Sequence, residues 1–366
     1  MSAIVNGNIT TASRQWAERP DDERFISLDA MQEFLDHSRE FSHARQVSSR
    51  ALEVRPIAED PRGLVVCGPN GAAVAPTNWA FSQLAQRAGA PAGYMRALPA
   101  PLAADCLNYG LRSRPVDDLG VLLYKNSGPA ELRAVTGSGY GRVWNADIVR
   151  ALRSRFGDGV TGDFRVPGEF GKAVEVTKRN TTLYASDRDM FVFLADEDHR
   201  IEVPNRRDGK AGQLARGFFV WNSETGKCTL GIATFLFDYV CCNRIVWGAT
   251  EYKEIRVRHS SGAPDRWIEE VAPAIERYAN SSARTITAAI EDARAARIDD
   301  VAAFLNSRFT QAQARAMEAI HVAEEGRPIE TLWDAATAVT AYARPIEYQD
   351  ARVDLERAAG KILDLA

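Results

Sequence analysis

The stretch from Arg216 to Trp247, RGFFVWNSETGKCTLGIATFLFDYVCCNRIVW, constrains the fold of this chain most. It is the densest apolar and aromatic run in the sequence, and Val, Ile, Phe, Trp and Thr dominate it. Those residue types favour buried strands over helices. Three polar clusters interrupt the run: Asn222-Ser223-Glu224, Gly226-Lys227 and Cys242-Asn243-Arg244. Polar groups among such neighbours cost about 1–3 kcal/mol each unless hydrogen-bonded. They therefore brace a core or line a site.

The flanking sequence extends the pattern. From about 160 to 259, TTLYASD, DMFVFLAD, HRIEVP, ARGFFVWNSE, CTLGIATFLF, NRIVWG and YKEIRVRH read as successive short strands, which implies an antiparallel sheet. Upstream, Ser27 is expected to cap a helix reaching about residue 44. Short strands follow at 51–75, then helices at 79–88, after Pro91, and at 101–112. Strands return at 118–125 and 132–138, and Asn145 is expected to cap a helix ending near Phe156. After Pro264 the spacing becomes helical: Trp267, Val271, Ile275 and Tyr278 open a series with further helices at 282–296, 298–307, 310–325, 329–342 and 347–364. Strands followed by helices give an α+β class, a central antiparallel sheet with N-terminal helices and a helical C-terminal layer. The expected divisions are a mobile arm at 1–26, an α+β core at 27–264 and a helical region at 265–366.

At 366 residues the chain can bury a large core. The formal net charge of -4 does not mark the whole molecule as a polyanion binder. The charge is uneven, with an acidic last third beside a mildly basic middle. Five cysteines without a CxxC pair signal neither a disulfide framework nor a zinc site, so reduced thiols and a cytoplasmic location are expected. Cys241 or Cys242 should be buried and unpaired. No apolar run reaches the ~18 residues of a membrane span.

Two glycine-lysine pairs fail as phosphate loops: Trp221 stands where the first glycine belongs and Cys228 where Ser or Thr is required. Gly137-Ser138-Gly139-Tyr140-Gly141 puts Arg142 in place of the third glycine of a dinucleotide loop, and reads as a flexible turn. Alternation could still aim Tyr140, Arg142 and Trp144 at one surface, giving stacking groups beside a cation. Ser186-Asp187-Arg188-Asp189 reads as a turn. With Glu224 and His259, however, Asp187 and Asp189 form a candidate acid–base or metal set, although no spacing fixes a ligand group. Asn222, like Asn243, is a polar brace or a site group, and Asn222 and Glu224 share one strand face. The cations of the strand-rich region, Lys178, Arg179, Arg188, Arg206, Arg207, Lys210, Arg216, Arg256 and Arg258, are solvated surface or, beside dense aromatics, backbone contacts for a nucleic acid.

Several segments carry a family resemblance: AFSQLAQRAGAPAGY at Ala80–Tyr94, SGYGRVWNADIV, SDRDMFVFL, the Arg216–Trp247 run, RVRH at Arg256–His259, TLWDAATAVTAYAR and DARVDLERAAGKIL. In these the chain resembles the phage- and plasmid-associated family known as domain of unknown function 932. Arg244 replaces the usual family glycine after Cys-Asn. The resemblance implies residence on a mobile element and supplies no catalytic residues. The leading expectation is a DNA-binding protein acting on single strands in recombination or replication, as an annealing factor, with an exposed antiparallel sheet whose basic, aromatic face holds the backbone and stacks bases. It would need no cofactor or metal, would not meet a membrane, and would assemble as a homo-oligomer because one short site holds few phosphates. The alternatives are a metal-dependent nuclease or nucleotide-processing enzyme, and an inhibitor of host defence or plasmid regulator.

Overall fold

A computed structural model of the chain describes residues 19–167, 175–179, 181–203, 212–238, 244–245, 254–281, 283–346 and 349–366. Its first strand, β1 (Arg24–Phe25), precedes helix α1 (Leu28–Glu40). Ser27 caps α1 as expected, its hydroxyl accepting the Ala30 N–H at 3.1 Å. The helix stops at Glu40 rather than near 44. Ser42 begins strand β2 (Ser42–Ser48), whose ladder pairing overrides the helical spacing of Phe41. Of the expected arm at 1–26, residues 1–18 lie outside the described residues. Residues 24–25 pair in register with Tyr184 and Leu183, and Arg19 reaches Asp189 at 2.6 Å.

The described residues form two sheets. The smaller takes β2, then β3 (Glu53–Pro56), β4 (Leu64–Cys67) and β5 (Ala73–Pro76), followed by helices α2 (Asn78–Ala88), α3 (Ala92–Ala97) and α4 (Ala100–Ser113), and closes with β6 (Asp118–Tyr124) and β7 (Glu131–Gly137). Its order is β2-β6-β7-β5-β4-β3, antiparallel except for the β5–β7 pair. Leu84 of α2, Leu107 of α4, and Val121 and Val135 of the sheet share one core. Gly89 ends α2 in the left-handed conformation (φ 71°), a position open to glycine without penalty. The upstream strands expected from sequence thus form a sheet of their own rather than the margin of the central one.

The larger sheet follows helix α5 (Asn145–Phe156). It holds β1, β8 (Phe164–Arg165), β9 (Leu183–Ala185), β10 (Met190–Asp196), β11 (Ile201–Val203), β12 (Gly212–Asn222), β13 (Leu230–Asp238), β14 (Arg244–Ile245) and β15 (Glu254–Val257). Every described pairing in it is antiparallel, as the strand-rich sequence predicts. The two-residue period of β12 splits its side chains between two faces. On one face Phe218 and Val220, with Leu194 and Ile232 beside them, pack on α1, α5 and α7 (Ala272–Asn280). Farther along that face Leu214 and Leu236 meet the C-terminal layer, formed by α8 (Ala283–Ala295), α9 (Val301–Asn306), α10 (Gln311–Glu325), α11 (Leu332–Ala343) and α12 (Gln349–Leu363). A short helix, α6 (Ala263–Arg266), and a π-helical turn at Trp267–Val271 lead into α7. Thr310 with Gln313 and Thr331 with Asp334 form capping boxes at α10 and α11.

The opposite face of the larger sheet is aromatic. Phe193 stacks on Phe235 with centroids 4.6 Å apart, and Phe219 on Trp221 at 5.1 Å. Glycine makes room for the second pair: a Cβ on Gly231 would lie 2.1 Å from the Trp221 ring. This face was expected to be open. Instead Tyr184, Phe191, Phe193 and Phe235 are buried, and Phe219 and Trp221 are half-buried.

Candidate functional site

The turn between β12 and β13 joins the two sheets, and its polar residues are what sew them together. Thr225 turns its carbonyl to α2, accepting from the Trp79 indole at 3.0 Å and the Gln83 amide at 2.7 Å. The Ser223 carbonyl accepts the Tyr140 hydroxyl at 2.7 Å, and the Glu224 carbonyl accepts Arg142. Ser223 Oγ donates to the Arg188 carbonyl at 2.6 Å. Asn222 donates to the Val143 carbonyl at 2.8 Å and to Asn145 Oδ1 at 2.7 Å. The Glu224 carboxylate accepts the Asn145 N–H at 2.7 Å. Asn145 is therefore not the cap of α5. Trp144 occupies that position without a side-chain bond, and Glu224 supplies the acceptor from the β12–β13 turn. Burial raises the Glu224 pKa, while the Asn145 N–H and Arg142 pull it down.

Beside this seam lies a cleft of ≈ 680 Å³. The smaller sheet's layer contributes Gln83, Gln86 and Arg87 of α2 and the turn from Gly137 to Tyr140. The larger sheet contributes Gly226, Cys228, and the segment Arg258 to Ser260 after β15. Gly141 brings the two sides close, because a Cβ there would stand 1.8 Å from the Ser260 carbonyl oxygen. The imidazole of His259 stacks on Tyr140, centroids 4.8 Å apart and planes 26° from parallel. Its Nδ1 is 3.0 Å from the Gly141 carbonyl, which can only accept, so Nδ1 carries the hydrogen. Nε2 is then a bare acceptor, buried and without a partner among the described residues. Burial lowers the His259 pKa, the bond to Gly141 opposes this, and Arg142 lowers it further; the ring is neutral near pH 7. Burial also pushes the Cys228 thiol up to about 12, with Asp189 adding to the rise, so Cys228 is a thiol and not a thiolate.

Tyr140, Arg142 and Trp144 do converge. The Arg142 guanidinium is 5.4 Å from the Tyr140 centroid and 5.8 Å from that of Trp144, and Arg39 covers Trp144 at 5.3 Å. They form an internal column more than a free platform, since Tyr140 is fixed through its ring and its hydroxyl.

The acid–base candidates are not gathered. Asp189 is held by Arg19 and by Ser186 at 2.9 Å, Asp187 is exposed beside Arg188 at 3.3 Å, and Glu224 is a half-buried brace bonded to the Asn145 N–H. Among the described residues no group of three His, Cys, Asp or Glu is placed to hold a metal ion. Of the cations, Arg179, Arg188, Arg256 and Arg258 are exposed, Arg256 lying 5.8 Å over Trp221. Arg216 corrects the surface reading. It is buried, its Nε donates to Asp196 at 2.8 Å, and its other nitrogens serve the carbonyls at the end of α7, including Ala279 at 3.2 Å. A guanidinium so committed cannot reach a phosphate. Arg206, Arg207, Lys210, Cys241, Cys242 and Asn243 lie outside the described residues.

Sequence reasoning missed the α2 side of the cleft. Gln83 and Arg87 sit four residues apart on a helix that also carries Asn78, Ser82 and Gln86, so they read as ordinary solvated surface. A second cleft of ≈ 560 Å³ shares Gln86 and Arg87 with the first and is also bordered by Arg114 and Asp117. Asp117 stands 3.4 Å from Arg87.

No curated protein and no solved structure matches the chain. A family model, described as domain of unknown function (DUF932), matches residues 169–360. That span contains β9 to β15 and nearly all of the helical layer, and so the Gly226–Ser260 side of the cleft; α2 and the Gly137–Tyr140 turn lie before it. With just over half of its length inside that match, the chain belongs to the DUF932 family.

Proposed function

We propose that this is a nucleic-acid-binding protein of a phage or plasmid, acting on single-stranded DNA in recombination or replication. The observation that carries this reading is the placement of Arg258, after β15, and Arg87, on α2, on one cleft, with a second cleft sharing Gln86 and Arg87 and bordered by Arg114 beside it. A track of cations spaced along a groove is what a phosphate backbone requires, and it is sequence-independent. Exposed Arg256 and Arg188 add charge on the same sheet. One copy contacts few phosphates, which favours assembly of several copies along a strand. A metal-dependent nuclease finds less support, because Asp187, Asp189 and Glu224 have separate occupations.

The test is fluorescence anisotropy of labelled single- and double-stranded DNA across a salt series. Each phosphate contact on a single strand contributes about 0.7 to the slope of log K against log salt. The double replacement Arg87→Ala with Arg258→Ala should flatten that slope by roughly one unit or more. Absence of salt-sensitive binding to any nucleic acid by the wild-type chain would overturn the reading.

A further inference from the structure

We propose that the cleft seats one nucleotide unit, with its phosphate at Arg87 and Arg258 and an N–H of its base donating to His259 Nε2. This rests on the nucleic-acid reading above and adds to it a recognition residue. The volume of ≈ 680 Å³ lies within the range of about 300–1,000 Å³ usual for small-ligand sites. The distinctive feature is the orphaned nitrogen. His259 is only 8% exposed, one ring face is stacked on Tyr140, and Nδ1 is spent on Gly141. Among the described residues nothing donates to Nε2, a buried lone pair on a ring that lines the cleft, so a ligand's donor meets it where the lining gives way. A buried acceptor left unmade costs the fold, and the deficit is relieved when a ligand brings a donor. A carboxylate brings no donor, and a phosphate held by two arginines keeps at most an acidic O–H. Every nucleobase carries an N–H on its Watson–Crick edge, together with a flat apolar body suited to the Val135, Tyr140 and Gly226 walls. The charges on the lining are Arg258 and Arg87; behind it Asp117 pairs with Arg87 at 3.4 Å, Asp189 acts on Cys228 and Arg142 on His259, so an anionic ligand must compete with Asp117 for Arg87.

The direct readout is the ¹⁵N spectrum of selectively labelled histidine in the wild-type chain. His259→Gln assigns the signal among the 5 histidines. The probes are the four deoxynucleoside monophosphates, 2-deoxyribose 5-phosphate, inorganic phosphate and a short oligodeoxythymidylate. Nucleotides and the oligonucleotide should move Nε2 toward the shift of a hydrogen-bonded nitrogen while leaving Nδ1 in place. Inorganic phosphate and the sugar phosphate should not. In binding assays His259→Phe, which keeps a ring against Tyr140 and loses the acceptor, should weaken nucleotide affinity by about tenfold. His259→Gln, which retains an accepting oxygen, should recover much of that loss.

If the sugar phosphate moves Nε2 as fully as a nucleotide does, the donor is a sugar hydroxyl and the assignment to the base is wrong. If DNA binds with the expected salt slope while Nε2 stays still and His259→Phe binds like the wild type, this inference fails and the DNA-binding function stands. If no probe binds at all, both fail.

Discussion

The carboxylate of Glu224 accepts the backbone N–H of Asn145 at 2.7 Å, so the turn of one sheet closes the open end of a helix packed behind it. The first N–H groups of a helix have no partner within it, and a buried end must find one elsewhere. Glu224→Ala removes the acceptor and should lower the unfolding free energy by about 1–3 kcal/mol, read as a lower urea midpoint. Glu224→Gln keeps an accepting oxygen and should cost less. The pH dependence has a definite sign. The folded-state pKa is raised by burial, so the group's contribution is fully present below its ordinary value of 4.5 and is lost as pH rises through the folded value. The wild type should therefore lose ground to Glu224→Gln as pH is raised from 4.5. Equal midpoints for both variants and the wild type at all pH values would refute the capping role.

His321 gives the opposite sign. It is buried in the helical layer, and burial lowers its pKa from 6.5, with Asp334 and Glu324 opposing and Arg327 assisting. The unfolded imidazole charges before the folded one, so stability falls as pH drops below 6.5 and levels off beneath the folded value. Replacing His321 with Gln should shrink this fall in a pH series of thermal midpoints. Asp334 acts in a separate window. Burial would raise its pKa, but the hydrogen bonds from Arg327 and the Glu330 N–H hold it below 3.8. Its contribution is present above 3.8 and is lost below, so the two losses should appear as separate steps.

These relationships show how far the sequence could be read. The alternation in β12 and β13 announced paired strands, because a two-residue period is a local property of the chain. The helical layer was readable for the same reason, although its caps at Thr310 and Thr331 emerged only in the structure. The Glu224 cap was not, since its partner lies in another element and no local signal links them. Arg216 was misread because charge normally means surface, and only the fold reveals Asp196 and the α7 carbonyls waiting for it. The aromatic residues of the larger sheet were recognised as one face, yet burial of that face depends on what packs against it. Of the cleft, Tyr140, Arg258 and His259 were picked out by residue type. Arg87 was not, since its helix period places it with ordinary surface cations, and the second sheet that turns it inward is a tertiary result.

Cys228 should behave as an inert thiol despite lining a cleft. With its pKa pushed from 9.0 to about 12, it holds about a thousandfold less thiolate at pH 8 than an ordinary cysteine. Timed alkylation with iodoacetamide, followed by mass spectrometry of the peptide containing Cys228, should show modification far slower than in the urea-unfolded chain. Labelling at the unfolded rate would mean that the site does not hold the thiol neutral. Nucleotide in the cleft should slow the reaction further.

Arg216 separates fold from function. Its guanidinium and Asp196 form a buried pair at 2.8 Å, and the same side chain terminates α7 by donating to the Ala279 carbonyl at 3.2 Å. Removing one member of such a pair leaves the other charge unpaired in the interior, which costs about 3–5 kcal/mol. Arg216→Ala should therefore unfold at markedly lower urea, and the loss should come from the contact of the larger sheet with α7. The double replacement Arg216→Met with Asp196→Leu removes both charges and keeps the volume, so it should recover much of the stability. Neither variant touches a phosphate. In whatever fraction of either protein remains folded, the salt slope of DNA binding should match the wild type, whereas Arg87→Ala with Arg258→Ala should leave the urea midpoint nearly unchanged and flatten the slope. A salt slope reduced by Arg216→Ala in fully folded protein would show that this arginine meets the strand after all.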